Sequence, residues 1–392
     1  MKLTPARAHS IHALGYKFKQ DVWTEVSDAD LDYLLCRWCP YLFRENFFSG
    51  PHWVRNTGTG TGKGSSFRYW ERGKEKHIKL PPGEPVPLER HVAYQVLLKS
   101  GVEQPPLSDV VSPGERVLVV RNGGLGDVLL TLPALASAKE KLGVLFDYAT
   151  ADYLVRLPQH NPDIENVFGH HEYNGEDYAA VVDLMRTVEA AGDSPTAHRT
   201  DIFARYFGVP AASYKMTYNV IDSERDAIAG MVPDEYTAVQ AGGSTPRRVL
   251  PKPKTVELLH ALVAAGRTPV VVDNIADGTF DVDGAVNLTG KLSIPLMFAV
   301  LEKAECVVAG DSGVMHAAVA LGTRTIGLFG AVKAELRVKE QPHCTTIQCN
   351  DWSGCPPCND LQLRACSGDA DLCLNSVPID VILQEVTGSG IH

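Results

Sequence analysis

The sequence predicts an α/β protein with two doubly wound, Rossmann-like domains, preceded by a smaller α+β or β-rich domain. From Val117 onward, short apolar runs alternate with helical patterns, as parallel strands covered by helices do. That alternation begins twice, at RVLVV (116–120) and again at EYTAVQA (235–241). A chain of 392 residues also exceeds the usual size of one core, so two or three domains are expected.

In chain order, residues 1–112 hold short strand-like pieces, a Gly/Thr/Ser loop (NTGTGTGKGSSF) and a helical run, ERHVAYQVLLKSG. The prolines and small polar residues of QPPLSDVVSPGE read as a linker. A first Rossmann-like domain is expected over 113–222, with strands at RVLVV, VLFDYA and AAVVDLM. The stretch TYNVIDSERDAIAGMVPD reads as a connection to a second domain, placed at 223–392. There EYTAVQA is followed by the helix TVELLHALVAAG and the strands PVVVD, ECVVAGD and RTIGLFG. In such sheets ligands bind at the carboxyl ends of the strands.

A composition of 44% apolar and 21% charged residues fits a water-soluble chain, with no run long enough to span a bilayer. The N-terminus lacks the apolar core of a signal peptide, so a cytoplasmic protein is expected. The net charge of −10 argues against wholesale nucleic-acid binding, yet it is uneven. Nine basic and three acidic residues fall between Arg37 and Lys79, about +6, which leaves about −16 elsewhere. Rings such as Trp38, Trp53 and Trp70 interleave with those cations, a pattern that suits a polyanion or simply a small β-domain with a charged face. Gly62-Lys63 is not a P-loop, because Thr57 and Gly64 stand where a glycine and a Ser or Thr are needed.

RNGGLGDVLLTLPALASAKEKLG (121–143) places a glycine turn between a strand and a helix. A dinucleotide fingerprint lacks its third glycine here, although Asp147 on the second strand keeps a nicotinamide reading open. Asp127 at the helix start would compete with a pyrophosphate for the same amides. It suits acid/base work or simple capping.

These residues resemble the N-terminal motif of glycosyltransferase family 9, the lipopolysaccharide heptosyltransferases and their relatives. DYAAVVDLMRT, HRTDIFARYFGV, VQAGGSTPRRVLP and VVAGDSGVMHAAVALGTRTIGLFG follow in the family's order, about 270 residues in all. Arg248 stands at the family's usual lysine position and Leu250 at its usual tryptophan. The resemblance implies a GT-B fold and transfer from a nucleotide-diphosphate sugar to an acceptor hydroxyl, with Asp127 as catalytic base. Gly124, Gly126 and Arg186 then belong to the acceptor side. Gly243, Ser244, Arg248, Asp311, Ser312, Gly313 and His316 belong to the donor side. The chemistry of Asp311-Ser312-Gly313 agrees, since a strand end that opens a helix offers amides and a hydroxyl to a diphosphate. No metal or other cofactor is then required for catalysis.

Cys349, Cys355, Cys358, Cys366 and Cys373 crowd the tail, a density that suggests a structural zinc or iron–sulfur knuckle, with free thiols or disulfides as alternatives. Cys36-x2-Cys39 and His170-His171-Glu172 are weaker metal signals. Three functions are therefore expected in competition. The first is an inverting, heptosyltransferase-like enzyme acting on a bacterial cell-surface saccharide. The second is a phage-type enzyme that glycosylates a hydroxymethylated DNA base, a reading to which GYKFKQDVWTEVSDADLDYLL adds a resemblance to small domains of tailed-phage proteins. The third is a non-catalytic nucleotide-sugar-binding adaptor.

Overall fold

The computed structural model describes residues 2–5, 11–13, 16–18, 24–25, 42–44, 52–57, 66–71, 74–97, 102–169, 173, 175–184, 187–191, 196–243, 246–355, 358 and 372–388. They form two compact units that are discontinuous in sequence. The first comprises Met1–Gly123, Ala134–Ala191 and Asp201–Ala212; the second comprises Gly124–Pro133, Gly192–Thr200 and Ser213–His392.

In the first unit, His52–Asn56 pairs antiparallel with Pro85–Leu88 and Val102–Glu103, and Ser66–Glu71 forms a hairpin with Lys74–Lys79. The expected helix forms over Arg90–Leu97 and buries Ala93 and Val96 against Val54 and Leu80. The stretch read as a linker is packed. Leu107 is buried within a single 3-10 turn, Asp109 pairs with Arg55, and Gly208 lies so close to Pro106 that a Cβ there would fall 2.5 Å from it.

The parallel sheet of this unit has the order β3-β2-β1-β4, with β1 at Arg116–Val120, β2 at Leu145–Ala149, β3 at Ile164–Phe168 and β4 at Ala180–Asp183. Helix α1 (Leu125–Leu142) links β1 to β2. Four residues each of β1, β2 and β4 are buried, which matches the continuous apolar runs of a sheet covered on both faces. Trp53 Nε1 donates to the carbonyl of Ala179 at 3.0 Å, fastening the antiparallel strands to the residue before β4. Asp147 accepts from Arg116, Asn166 and Tyr178. Its carboxylate thus ties three strands and the turn before β4 together, and burial beside it raises the Tyr178 phenol above its usual range.

The second unit contains a six-stranded parallel sheet, β7-β6-β5-β8-β9-β10. Its strands are β5 Thr237–Gln240, β6 Pro269–Val272, β7 Val286–Asn287, β8 Cys306–Gly310, β9 Thr325–Phe329 and β10 Cys344–Gln348. Strand order reverses at β5, whose neighbours are β6 and β8, and such a reversal opens a crevice beyond the strand ends. Helices α3 (Lys252–Ala264), α4 (Ile294–Lys303), α5 (Gly313–Leu321) and α6 (Ile379–Thr387) cover the sheet. Leu258, Leu259 and Leu262 of α3 are fully buried in a cluster with Val271, Val308 and Ile382, each such leucine contributing about 1.5–3 kcal/mol. Arg324 donates to the carbonyl of Val386, meeting the orphan acceptors at the end of α6. The stretch 217–234 is packed as well: Tyr218 stacks on Phe298, and Arg225 pairs with Glu302. No helix among the described residues is long and apolar enough to cross a membrane.

Candidate active site

A cavity of about 570 Å³ lies within the second unit, at the carboxyl ends of β5, β6 and β8. That size suits a small-molecule ligand. One wall is the start of α1, from Gly124 to Asp127, together with Arg199 at the start of α2 (Arg199–Tyr206). The turn Asp311–Val314 with His316 forms a second, adjoining part of the lining.

That turn follows from its residues. Gly310 ends β8 where a Cβ would fall 1.8 Å from the carbonyl oxygen of Arg248, so only glycine fits. Ser312 has an extended backbone and caps α5, its hydroxyl accepting from Met315 N while donating to Gln240 Oε1 at 2.8 Å. Gln240 also accepts from Gly310 N, so the last residue of β5 holds the end of β8. The first amides of α5 thereby face the cavity at the positive end of a helix.

Asp311 is 2% exposed and stands between two arginines, with Arg248 Nε at 3.1 Å and Arg337 Nε at 3.6 Å. Burial opposes its ionisation, but those cations outweigh it and hold the carboxyl below its ordinary value. Asp311 is therefore a buried counter-ion that orients Arg248. Arg248 lines the cavity and also donates to the carbonyl of Asp311. His316 is fully enclosed, and burial pushes its pKa down to about 3. Its imidazole is neutral at physiological pH and contributes hydrogen bonding rather than charge.

Asp127 is the third residue of α1, and its amide donates to the carbonyl of Gly124. Gly126 lies against the ring of His316, and Leu125 lies against Gly313. Among the residues expected from the sequence, Asp127, Gly124, Gly126, Gly243, Arg248, Asp311, Ser312, Gly313 and His316 line this one cavity. Arg186 and Ser244 lie outside the described residues, as do His170, His171, Glu172, Cys36, Cys39 and Cys366. Leu250, at the family's tryptophan position, is a buried core residue.

Sequence reasoning missed Arg199, Gln240, Arg337, Asp273 and Met297. Arg199 ion-pairs with Asp127, and Asp273 and Met297 line the far end of the cavity. Asp147, the residue that kept a nicotinamide reading open, has its carboxylate taken up by the bonds inside the first unit.

Residues 171–338 match the model of glycosyltransferase family 9 (heptosyltransferase). The matched stretch resembles a family 9 glycosyltransferase domain. The matched range includes the cavity wall from β5 to Arg337 and leaves the loop with Asp127 outside it. No curated protein matches the chain in sequence. Among solved structures, the fold is similar to that of a family 9 glycosyl transferase from Veillonella parvula DSM 2008. The TM-score is 0.55 at 15% identity, over 70% of this chain and 97% of that one. It is also similar to E. coli ADP-heptose lps heptosyltransferase II, with a TM-score of 0.54 at 11% identity over 70% and 98%. A third is the iron-containing dodecameric glycosyltransferase TibC from enterotoxigenic E. coli H10407, with a TM-score of 0.56 at 15% identity over 86% and 91%. The fold is accordingly GT-B, as the sequence resemblance implied.

The tail brings several sulfurs near one another. Burial pushes the Cys349 thiol up, opposed by hydrogen bonds with Ser353 and Cys373, while Cys355 and Cys358 act on it through their charge. Arg247 Nη1 lies 3.6 Å from Cys358 Sγ. Among the described residues no group of three or more His, Cys, Asp or Glu is arranged to hold a metal.

Proposed function

We propose that the protein is an inverting glycosyltransferase that moves a sugar from a nucleotide-diphosphate donor to an acceptor hydroxyl of a bacterial cell-surface saccharide. The observation that supports this best is that Asp127 and the Ser312–His316 turn line the same cavity. The donor's diphosphate sits on the first amides of α5 and the Ser312 hydroxyl, with Arg248 as cation and His316 as neutral donor. Asp127 takes the acceptor proton as the hydroxyl oxygen forms its bond to the anomeric carbon. The bond from that carbon to the phosphate oxygen breaks on the opposite face, and the nucleoside diphosphate leaves with the electron pair. General-base assistance of this kind is worth about 10² to 10⁴ in rate. Arg248 and the helix amides meet the leaving charge, so a metal is not needed for this step.

In this reading residues 113–222 supply the base and the acceptor side, 223–392 hold the donor, and 1–112 are an accessory domain. ADP-heptose is the first donor to try, because structural neighbours are described as holding ADP or ADP-D-beta-D-heptose, or as an ADP-heptose heptosyltransferase. In this reading the thiols of Cys349, Cys355, Cys358, Cys366 and Cys373 would ligate a structural zinc or iron–sulfur cluster, for which thiolates are suitable ligands. It plays no part in the transfer step.

A second acceptor is favoured by exposed Lys76, His77 and Lys79 on one strand of the N-terminal hairpin, which suit a polyanion. The deciding experiment offers a panel of nucleotide sugars with truncated lipopolysaccharide and, in parallel, with hydroxymethylated DNA. Nucleoside-diphosphate release stimulated by the saccharide supports the proposal. Release stimulated by DNA replaces the acceptor, and nucleotide binding with no release to either leaves an adaptor.

A further inference from the structure

Arg199 lies in the HRTDIFARYFGV stretch but was given no role by the sequence, and it ion-pairs with Asp127. Both side chains line the cavity and are largely shielded, 16% and 19% exposed. Arg199 is fixed from behind, because the hydroxyl of Thr200 donates to the carbonyl of Leu130 on the same helix as Asp127, and Thr200 N donates to His198 Nδ1. Its Nη1 donates to Asp127 Oδ1, while its Nε–H is buried with no hydrogen-bond partner. Its charge also acts on Asp311, His316 and Arg337 across the cavity floor.

We propose that Arg199 serves two anions in turn, holding Asp127 while the donor site is empty and turning to the diphosphate when a nucleotide donor arrives. This rests on the donor reading given above. A guanidinium presents five donors in a planar fork matched to phosphate, and a diphosphate at the Ser312–His316 turn is a stronger competitor than one carboxylate. A carboxylate paired with a guanidinium accepts a proton less readily than an unpaired one, which makes it a weaker general base. Arg199 therefore keeps Asp127 inactive until the leaving group is in place, then joins Arg248 on that leaving group. Beside the Asp127–Arg199 pair, the ring of His316 from α5 packs on Gly126, and Asp311 lies 4.0 Å from His316 Nε2 and within 3.6 Å of Arg248 and Arg337.

Such coupling is reciprocal, so Asp127 must weaken nucleotide binding by holding Arg199. The test is a double-mutant cycle on the full chain, read as Kd by calorimetric titration with ADP, GDP, UDP, CDP and dTDP, with melting curves to confirm folding. Asp127→Asn is expected to tighten the best diphosphate about tenfold, the size of one charge-assisted hydrogen bond. Arg199→Gln is expected to weaken it by a similar factor, and the double variant to match Arg199→Gln alone. If Asp127→Asn tightens binding equally in both backgrounds, the carboxylate merely repels phosphate and the proposal is overturned. An unchanged Kd in folded Arg199→Gln overturns it too. Should that variant not fold, Arg199→Lys keeps the charge without the fork; it must lose at least threefold in affinity, and no loss overturns the proposal. A wild-type chain that binds none of the five diphosphates overturns the donor reading and this inference together.

Discussion

Gly126 lies against His316 so closely that a Cβ at position 126 would fall 2.5 Å from the imidazole Cδ2. The first residues of α1 and the Ser312–His316 turn are thereby in direct contact. At Gly124, by contrast, the nearest atom to an added Cβ is Asp127 Oδ2, at 3.8 Å. Gly126→Ala is expected to lower stability by about 1–3 kcal/mol, the usual cost of overpacking, and to reduce transfer at least tenfold. Gly124→Ala is expected to leave the melting temperature within a degree or two of wild type. Thermal melts of the two variants side by side check this contrast.

Arg337 is one of the cations that keep Asp311 ionised in a site where burial opposes the charge. Arg337→Met leaves that carboxylate with Arg248 as its nearest cation, and breaking a buried pair typically costs about 3–5 kcal/mol. Because the folded-state value of Asp311 lies below its ordinary 3.8, its contribution is present above that pH and is lost as pH falls through the lower folded value. The stability gap between Arg337→Met and wild type should therefore be wide at pH 7 and narrow below pH about 4. Denaturant titrations at the two pH values would show this; a gap independent of pH would contradict it.

His316 is lowered to about 3 from 6.5, so the unfolded chain binds a proton in that interval which the folded chain refuses. Stability must fall as pH drops from 6.5 toward 3 and be independent of this group above 6.5. His316→Gln should flatten that part of the melting-temperature profile. In the wild type, the His316 ring resonances should show no titration between pH 5 and 8.

The thiols of the tail give a separate prediction. Elemental analysis of purified protein should find about one zinc or a small number of iron atoms per chain, since thiolate clusters favour these metals. Cys358→Ser combined with Cys355→Ser should remove the metal and lower the melting temperature while leaving diphosphate affinity within a factor of two or three.

Much of this was legible in the sequence because most strands of the two parallel sheets are buried apolar runs. RVLVV, the AVVD core of β4, TAVQ, PVVV, CVVAG and TIGLF are continuous apolar runs, and each forms a strand. The strands that went unread are β3, β7 and β10, all on sheet edges or only two residues long. IENVF and CTTIQ alternate too weakly to stand out from loops. Motif residues such as Asp127, Ser312 and His316 came together as their spacing suggested. Arg199 and Arg337 did not announce themselves, because an arginine in a polar-looking segment reads as a solvated charge. Only the folded chain brings Arg199 to Asp127, 72 residues away in sequence, and buries Arg337 beside Asp311.

The most direct test of the account is the rate of sugar transfer by Asp127→Asn under saturating donor, measured with its diphosphate affinity. The account predicts a loss of about 10² to 10⁴ in kcat, with nucleotide binding tightened. Full transfer by Asp127→Asn would contradict it, and the base would have to be sought elsewhere in the cavity.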